Sequence, residues 1–295
     1  MPLSPRSQGH AAMLAFSALV AGSFALGGLV ATLISPAALN ALRFILAGAL
    51  IGVVGLSLGV IRRQDARAPW RYFILGGLFS IYFVTMFEGL KTASPVSTAA
   101  VFTLTPILTA VFARGLMGQA IRPLVLLALA IGGIGALWVI FRGDWAAFRI
   151  FNIGRGEQIY FVGCVAHALY TPLIPKLNRG EHPISFTFGT LIAGAVILLV
   201  YGWPDIVSTQ WTSLPQIVWL TLFYTAIAAS SMTFVLLQFA SLRIPSSKVM
   251  AYTYLTPSWV ILWQGGLTGD WPPAILYAGV GLTVAALALL LWEKS

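Results

Sequence analysis

Long apolar runs alternate with short polar links over the whole chain. Runs of about 20 residues, the length of a helix that crosses a ~30 Å hydrocarbon core, recur along the sequence. The links are too short to hold a soluble domain, and backbone groups inside a bilayer must be hydrogen-bonded within the protein, so an all-α membrane bundle is predicted. We expect ten transmembrane helices, near residues 11–33, 36–61, 70–91, 94–114, 121–141, 156–176, 183–202, 214–240, 245–265 and 272–292.

Two stretches of the chain, about 151 positions apart, carry the same pattern, which indicates an internal duplication. It divides the ten helices into two five-helix repeats, residues 1–150 and 151–295. Because an odd number of spans makes the second repeat enter the bilayer from the opposite side, the repeats are expected to be inverted. The first copy contains Leu90-Lys91, Leu104-Thr105-Pro106 and Gly115-Leu116-Met117-Gly118, and the second contains Leu242-Arg243, Leu255-Thr256-Pro257 and Gly266-Leu267-Thr268-Gly269.

The composition agrees with this membrane assignment, since 59% of the residues are hydrophobic and 8% are charged, whereas a soluble domain carries roughly 25% charged residues. The net charge of +9 is spread over the links between the apolar runs, so no nucleic-acid partner is expected. If both termini are cytoplasmic, 12 of the 17 Lys and Arg residues face the cytoplasm, as the positive-inside rule requires. We therefore expect a polytopic protein of the bacterial inner membrane with cytoplasmic amino and carboxyl termini.

The link between the two repeats is the exception to this charge distribution. It carries Arg142, Arg149 and Arg155 on the outer side, together with the aromatic residues Trp145, Phe148 and Phe151. Basic and aromatic residues in a short segment are typical of a stretch that lies on the bilayer surface. Glycines at four-residue spacing in the second span, and Gly132, Gly133 and Gly135 in the fifth, indicate close helix packing.

Enzyme chemistry has no support in the sequence. Cys164 is the single cysteine, so neither an intrachain disulfide nor a cysteine-based metal site can form. No phosphate-binding loop or metal-ligand spacing occurs, and no serine or cysteine has a plausible base beside it. We expect no enzymatic activity and no cofactor.

Taken together, the ten spans, the two repeats and the duplicated Thr-Pro motif resemble the EamA-type members of the drug/metabolite transporter superfamily. In size and aromatic content the chain is most similar to bacterial aromatic amino-acid exporters. The resemblance implies a secondary transporter whose cavity is bounded by spans 1 to 4 and 6 to 9, with spans 5 and 10 at the edge. Many family members have Glu after the glycine that ends spans 4 and 9, whereas this chain has Gln119 and Asp270.

Ionisable side chains inside a span are candidates for function, because they cost free energy there. His167 lies near the middle of span 6, with Tyr170 on the same helix face. Three roles are open for His167, namely cavity lining, proton titration and a structural hydrogen bond. Arg43 in span 2 either attracts a substrate carboxylate or pairs with Glu88 or Asn40.

Further candidates are neutral. Tyr82 and Tyr254 lie far from either membrane surface, where a hydroxyl needs a partner, and we expect both to line the cavity, with Ser230 as a secondary candidate. Prolines interrupt helical hydrogen bonding, and the candidate hinges are Pro172, Pro175, Pro106 and Pro257.

The sequence therefore predicts a secondary transporter that exports small metabolites, amino acids including aromatic ones, by alternating access. Its expected partners are an amino acid or amphipathic metabolite and the lipid bilayer, and its oligomeric state is open. One alternative is a proton-coupled multidrug or quaternary-cation exporter, for which Glu88 is the candidate coupling carboxylate. The other is a membrane scaffold or lipid-handling protein that transports nothing.

Overall fold

The computed structural model describes residues 4–120, 122–149 and 153–292, and within these ranges it contains helices, turns and no strand. The predicted repeat boundary at residue 150, as well as Phe151, lies outside the described residues. Ten helical spans are present, as predicted. They are α1 (Pro5–Val30), α2 (Pro36–Ser57), α3 (Trp70–Gly89), α4 (Pro95–Met117), α5 (Pro123–Ile140), α6 (Arg155–Leu177), α7 (Pro183–Ser208), α8 (Gln216–Ser241), α9 (Ser246–Ala251, Tyr252–Leu255 and Thr256–Thr268) and α10 (Ile275–Trp292).

Eight of these spans are long and apolar enough to cross a membrane as single helices. The other two are α6, which contains Arg155, Glu157, His167 and Lys176, and α9, which is broken in the middle. The ends differ by a few residues from the predicted ones for local reasons. For example, α2 ends at Ser57 rather than near residue 61, because Gly59 follows with a φ of +63° that a helix does not allow.

Helix packing follows an approximate two-fold symmetry between the halves. Three helices of the first half pack against their own counterparts in the second half: α2 against α7, α4 against α9, and α5 against α10. The contact between α3 and α6 likewise has its counterpart in the contact between α8 and α1. Each half therefore closes against the other rather than around a core of its own. This is the arrangement of two inverted repeats.

The duplicated Thr-Pro motif marks a break in the middle of α4 and of α9. The first segment of α4 ends at Phe102 and the second begins at Thr105, while in α9 a 3₁₀ turn over Tyr252–Leu255 precedes the restart at Thr256. Pro106 and Pro257 lie in the first turn of each restarted helix, where the missing N–H leaves no hydrogen bond unmade. The candidate hinges Pro172 and Pro175 instead lie inside α6, which continues past both.

Glycine contacts bring the peripheral helices close together, as the sequence indicated. A Cβ atom on Gly135 of α5 would lie 2.6 Å from the carbonyl oxygen of Gly279 in α10, and the reverse distance would be 2.7 Å. The two backbones therefore touch. This edge pair, α5 with α10, lies outside the helices that contribute the site described below.

Candidate functional site

Ten aromatic and imidazole rings from both halves meet at the centre of the bundle. None is more than 2% exposed, and neighbouring rings lie within 6.5 Å of each other. They come from α1, α2, α3, α4, α6 and α8, so their contacts join the two repeats. This central cluster comprises Phe24, Phe44, Phe79, Tyr82, Phe83, Phe102, Tyr160, His167, Tyr170 and Phe234.

Arg43 of α2 lies against the central cluster and is completely buried. Its guanidinium carbon is 3.7 Å from the centroid of the Phe83 ring, close enough for a cation–π contact. Nε donates to Ser230 Oγ at 2.7 Å and Nη2 donates to the carbonyl oxygen of Ala229 at 2.7 Å. A longer contact of 3.4 Å joins Nη1 to Asn40 Oδ1.

A π-helical turn in α8 makes the Ala229 carbonyl available to Arg43. The turn spans Ile227–Met232, and the amide of Thr233 donates to Ala228, five residues back, rather than to Ala229. The Ala229 oxygen therefore accepts a hydrogen bond from another helix. Such single π turns are frequent at functional sites.

The acceptors around Arg43 are all neutral, and within the described residues no carboxylate lies in ion-pair range of it. Glu88, the partner considered for it, pairs instead with Lys91 at 2.8 Å, and these side chains are 38% and 34% exposed, respectively. A buried cation without a neighbouring anion costs free energy, because its lost hydration is not replaced by an opposite charge. The site can lower that cost by taking up an anion.

His167 lies among three rings of the central cluster. Its imidazole centroid is 4.6 Å from that of Tyr82 and 5.2 Å from those of Phe79 and Phe102. Nδ1 of His167 is buried and has no hydrogen-bond partner in the described chain. These three rings therefore give the imidazole a largely apolar environment.

Two tyrosines beside His167 are hydrogen-bonded. Tyr160 donates to the hydroxyl of Tyr82 at 3.2 Å, and Gln238 Nε2 donates to the hydroxyl of Tyr170 at 2.8 Å. The structure thus brings together Arg43, Tyr82, His167, Tyr170 and Ser230, which the sequence had singled out separately.

Tyr254, which was expected to line the cavity, lies away from the central cluster. Its hydroxyl lies beside Gly132 of α5 and has no partner among the described residues, and its carbonyl accepts from Thr283 of α10 at 2.9 Å. Tyr254 is part of the 3₁₀ turn Tyr252–Leu255, in which the chain advances 120° per residue instead of 100°. Tyr254 belongs to the edge of the bundle, outside the central cluster.

Polar contacts close the seam between α2 and α7 at both of its ends. On the amino-terminal side, where α1 begins, Ser185 of α7 donates to Asp65 Oδ2 at 2.5 Å. On the far side, Ser35 donates to Asp205 Oδ2 at 2.7 Å. The two contacts are related by the same approximate two-fold symmetry as the helices.

An ion pair adds to the closure on the amino-terminal side. Arg71 Nη2 contacts Glu181 Oε1 at 2.6 Å, with the two side chains 2% and 5% exposed, and Nη1 donates to the carbonyl oxygen of Leu177 at 2.6 Å. Burial raises the pKa of the Glu181 carboxyl, but the hydrogen bonds from Arg71 and from the Arg179 amide outweigh it and hold this pKa below its ordinary value. No local pattern in the sequence indicates this pair, because its members are 110 positions apart, with Arg71 in the first turn of α3 and Glu181 in the link between α6 and α7.

The model of the EamA-like transporter family matches twice, over residues 7–141 and residues 154–292. The uncharacterized transporter YyaM of Bacillus subtilis (strain 168) is 29% identical over 248 residues, which cover 83% of this chain and 81% of that protein. One crystal structure covers 97% of this chain with a TM-score of 0.74 and 22% identity, a likeness of fold.

A shorter match involves a protein with a stated substrate. The aromatic amino acid exporter YddG of Ancylobacter novellus is 33% identical over 120 residues. These residues cover 40% of this chain and 41% of the exporter.

Proposed function

Because the chain belongs to the EamA-like transporter family, and is therefore a membrane transporter of a small solute and not an enzyme, we propose that it exports amino acids, aromatic ones first, by alternating access. Its two five-helix repeats, residues 1–150 and 151–295, move against each other in this proposal. Both termini lie in the cytoplasm of a bacterium, and the bundle spans the inner membrane.

The observation that carries this proposal is the buried guanidinium of Arg43, whose acceptors are all neutral. A carboxylate bound there forms a charge-assisted pair in a site shielded from water. The rings of Phe83 and Tyr82 beside it suit a flat apolar group. An amino acid with an aromatic side chain supplies both parts, and the partial likeness to an aromatic amino acid exporter supports the same class.

The two closures of the α2–α7 seam support alternating access. The amino-terminal side is held by Arg71–Glu181 and Asp65–Ser185, and the far side by Ser35–Asp205. In this proposal a state with both sides held and the central cluster buried is the occluded one. Release to either side requires one set of contacts to break while the other persists.

Flux from proteoliposomes tests this function. Vesicles containing the purified protein are loaded with labelled tryptophan, phenylalanine, leucine or an organic cation, with and without a pH gradient. Saturable efflux of the aromatic amino acids that exceeds that of the cation supports the proposal. Efflux of the cation alone, driven by the pH gradient, contradicts it.

The alternative as a proton-coupled cation exporter needs an anion near the solute. Glu88, its candidate carboxylate, lies at the far end of α3 in a partly exposed pair with Lys91, whereas the central charge belongs to Arg43. A buried positive charge repels a cationic solute. A scaffold or lipid-handling protein without transport predicts no solute flux in the same assay.

A further inference from the structure

His167 contains a buried hydrogen-bonding atom that the protein itself leaves unused. The side chain is 1% exposed, and Nδ1 has no partner among the described residues. Leaving such an atom unpaired in an apolar site costs free energy, and most buried polar atoms in native structures are paired. Other buried side-chain atoms in the described part of the chain are also unpaired, but Nδ1 of His167 is the one among them that belongs to the central cluster.

The imidazole of His167 is uncharged in this site. An imidazolium surrounded by the rings of Phe79, Tyr82 and Phe102 would be a buried charge without a counterion, which is strongly unfavourable. A neutral imidazole carries a proton on one ring nitrogen and a lone pair on the other. It can therefore accept one hydrogen bond from a donor on a bound molecule.

Arg43 and His167 are joined through two rings of the central cluster. The Arg43 guanidinium carbon is 3.7 Å from the Phe83 centroid, the Phe83 and Tyr82 centroids are 4.6 Å apart, and Tyr82 and His167 are again 4.6 Å apart. These three steps define the path on which the proposal below places a solute, with its carboxylate at Arg43 and the far edge of its own ring at Nδ1 of His167.

We propose that His167 is a specificity residue that accepts a hydrogen bond from the ring of the solute. The site thereby selects aromatic amino acids whose ring carries a donor, an indole N–H or a phenol O–H, over those with a plain hydrocarbon ring. This inference rests on the proposed function and adds to it the discrimination within the aromatic class. A site built to hydrogen-bond a donor rejects the analogue that lacks it more strongly than a hydrophobic pocket rejects a change in size.

The test compares tryptophan with 3-benzothienylalanine, which has the same shape but sulfur in place of the indole N–H. Efflux of each from proteoliposomes gives a ratio of kcat/KM for the wild type and for three variants. In the wild type we expect tryptophan to be favoured at least about tenfold. In His167→Phe, which keeps a ring but removes the acceptor, we expect the ratio to fall to within about twofold of unity, while His167→Gln, which keeps an acceptor, retains part of the preference.

Thr187 of α7 supplies the matched control, because its hydroxyl is also buried without a partner in the described chain, while α7 contributes no ring to the central cluster. The ratio in Thr187→Val should equal that of the wild type. Since the ratio compares two solutes in one variant, it does not depend on how much of that variant folds.

Four results would overturn the inference. Three of them remove the role of His167 and leave the proposed function intact: a wild-type ratio near one with both solutes moved, a ratio that survives in His167→Phe, and a ratio that Thr187→Val lowers as much as His167→Phe does. Absence of saturable flux of any aromatic amino acid by the wild type overturns the proposed function and this inference with it.

Discussion

Nε of Arg43 lies 2.7 Å from the hydroxyl of Ser230, although the two residues are 187 positions apart and belong to different repeats. The contact joins α2 of the first repeat to the π-helical turn of α8 in the second. In the proposed alternating access, a charge held between the repeats changes its surroundings as they move. Transport and the packing of the two halves are therefore expected to depend on the same few residues.

The buried ion pair of Arg71 and Glu181 should contribute more to stability than the exposed pair of Lys91 and Glu88. Removing one partner of a buried pair costs about 3–5 kcal/mol, whereas an exposed pair contributes roughly 0.2–1 kcal/mol. We expect Glu181→Gln to lower the thermal midpoint of the detergent-solubilised protein clearly and Glu88→Gln to change it little. Equal shifts would show that burial does not distinguish the two pairs.

Stability should depend on pH through Glu181. Because the pKa of this carboxyl is held below its ordinary value by Arg71 and the Arg179 amide, although burial acts in the opposite direction, the unfolded state binds the proton more readily than the folded state. The contribution is fully present above the ordinary glutamate pKa of about 4.3 and is lost as the pH falls through the lowered pKa of the folded state. Thermal melts of the wild type should decline there, and Glu181→Gln should decline less. Parallel curves would contradict this source of the pH dependence.

The contact between α5 and α10 should tolerate no side chain at Gly279. A Cβ there would lie 2.7 Å from the Gly135 carbonyl oxygen, whereas nothing lies within 4 Å of a Cβ at Gly281 on the same helix. Overpacking costs roughly 1–3 kcal/mol, while alanine in place of an unconstrained helical glycine stabilises by up to about 1 kcal/mol. We therefore expect Gly279→Ala to destabilise and Gly281→Ala to leave stability unchanged or raise it. Melting of the two variants side by side measures the difference.

A crosslink that holds the far side closed should stop transport for as long as the crosslink remains. In a Cys164→Ala background, Ser35→Cys and Asp205→Cys place two thiols where the native side chains are joined by a 2.7 Å hydrogen bond. A short, reducible thiol crosslinker should abolish efflux, and reduction should restore it, because release to the far side needs this contact to separate. Full efflux from the crosslinked protein would exclude opening at this seam, and the Cys164→Ala protein treated alike is the control.

Much of the fold could be predicted from the sequence, because a long apolar run that crosses a bilayer must hydrogen-bond its own backbone and therefore forms a helix. The spacing of the runs predicted ten helices, and the repeated Thr-Pro motif predicted the duplication, since both copies mark the restart of a broken helix. Arg43 and His167 were identifiable because a buried ionisable group costs free energy. Their burial in the structure agrees with that reasoning.

The remaining parts of the site depend on contacts that no local pattern records. Phenylalanines such as Phe44, Phe102 and Phe234 suit the lipid-facing and the inward surface of a membrane helix equally well, so their membership of the central cluster was not predicted. The 3₁₀ turn that contains Tyr254, which lies outside the central cluster, has no signal in the sequence. The π-helical turn that frees the Ala229 carbonyl has no signal in the sequence either.

The central claim is that Arg43 binds the carboxylate of the transported solute, and competition by tryptamine against tryptophan tests it most directly, because tryptamine has the same ring and amine without the carboxylate. In the wild type, tryptophan should inhibit the efflux of labelled tryptophan with at least about tenfold higher apparent affinity than tryptamine, since a hydrogen-bonded charge pair contributes about 1.5–3 kcal/mol. In Arg43→Gln the two competitors should become nearly equivalent through weaker binding of tryptophan. If Arg43→Gln keeps the wild-type preference for tryptophan over tryptamine, the carboxylate is bound elsewhere and the account is wrong.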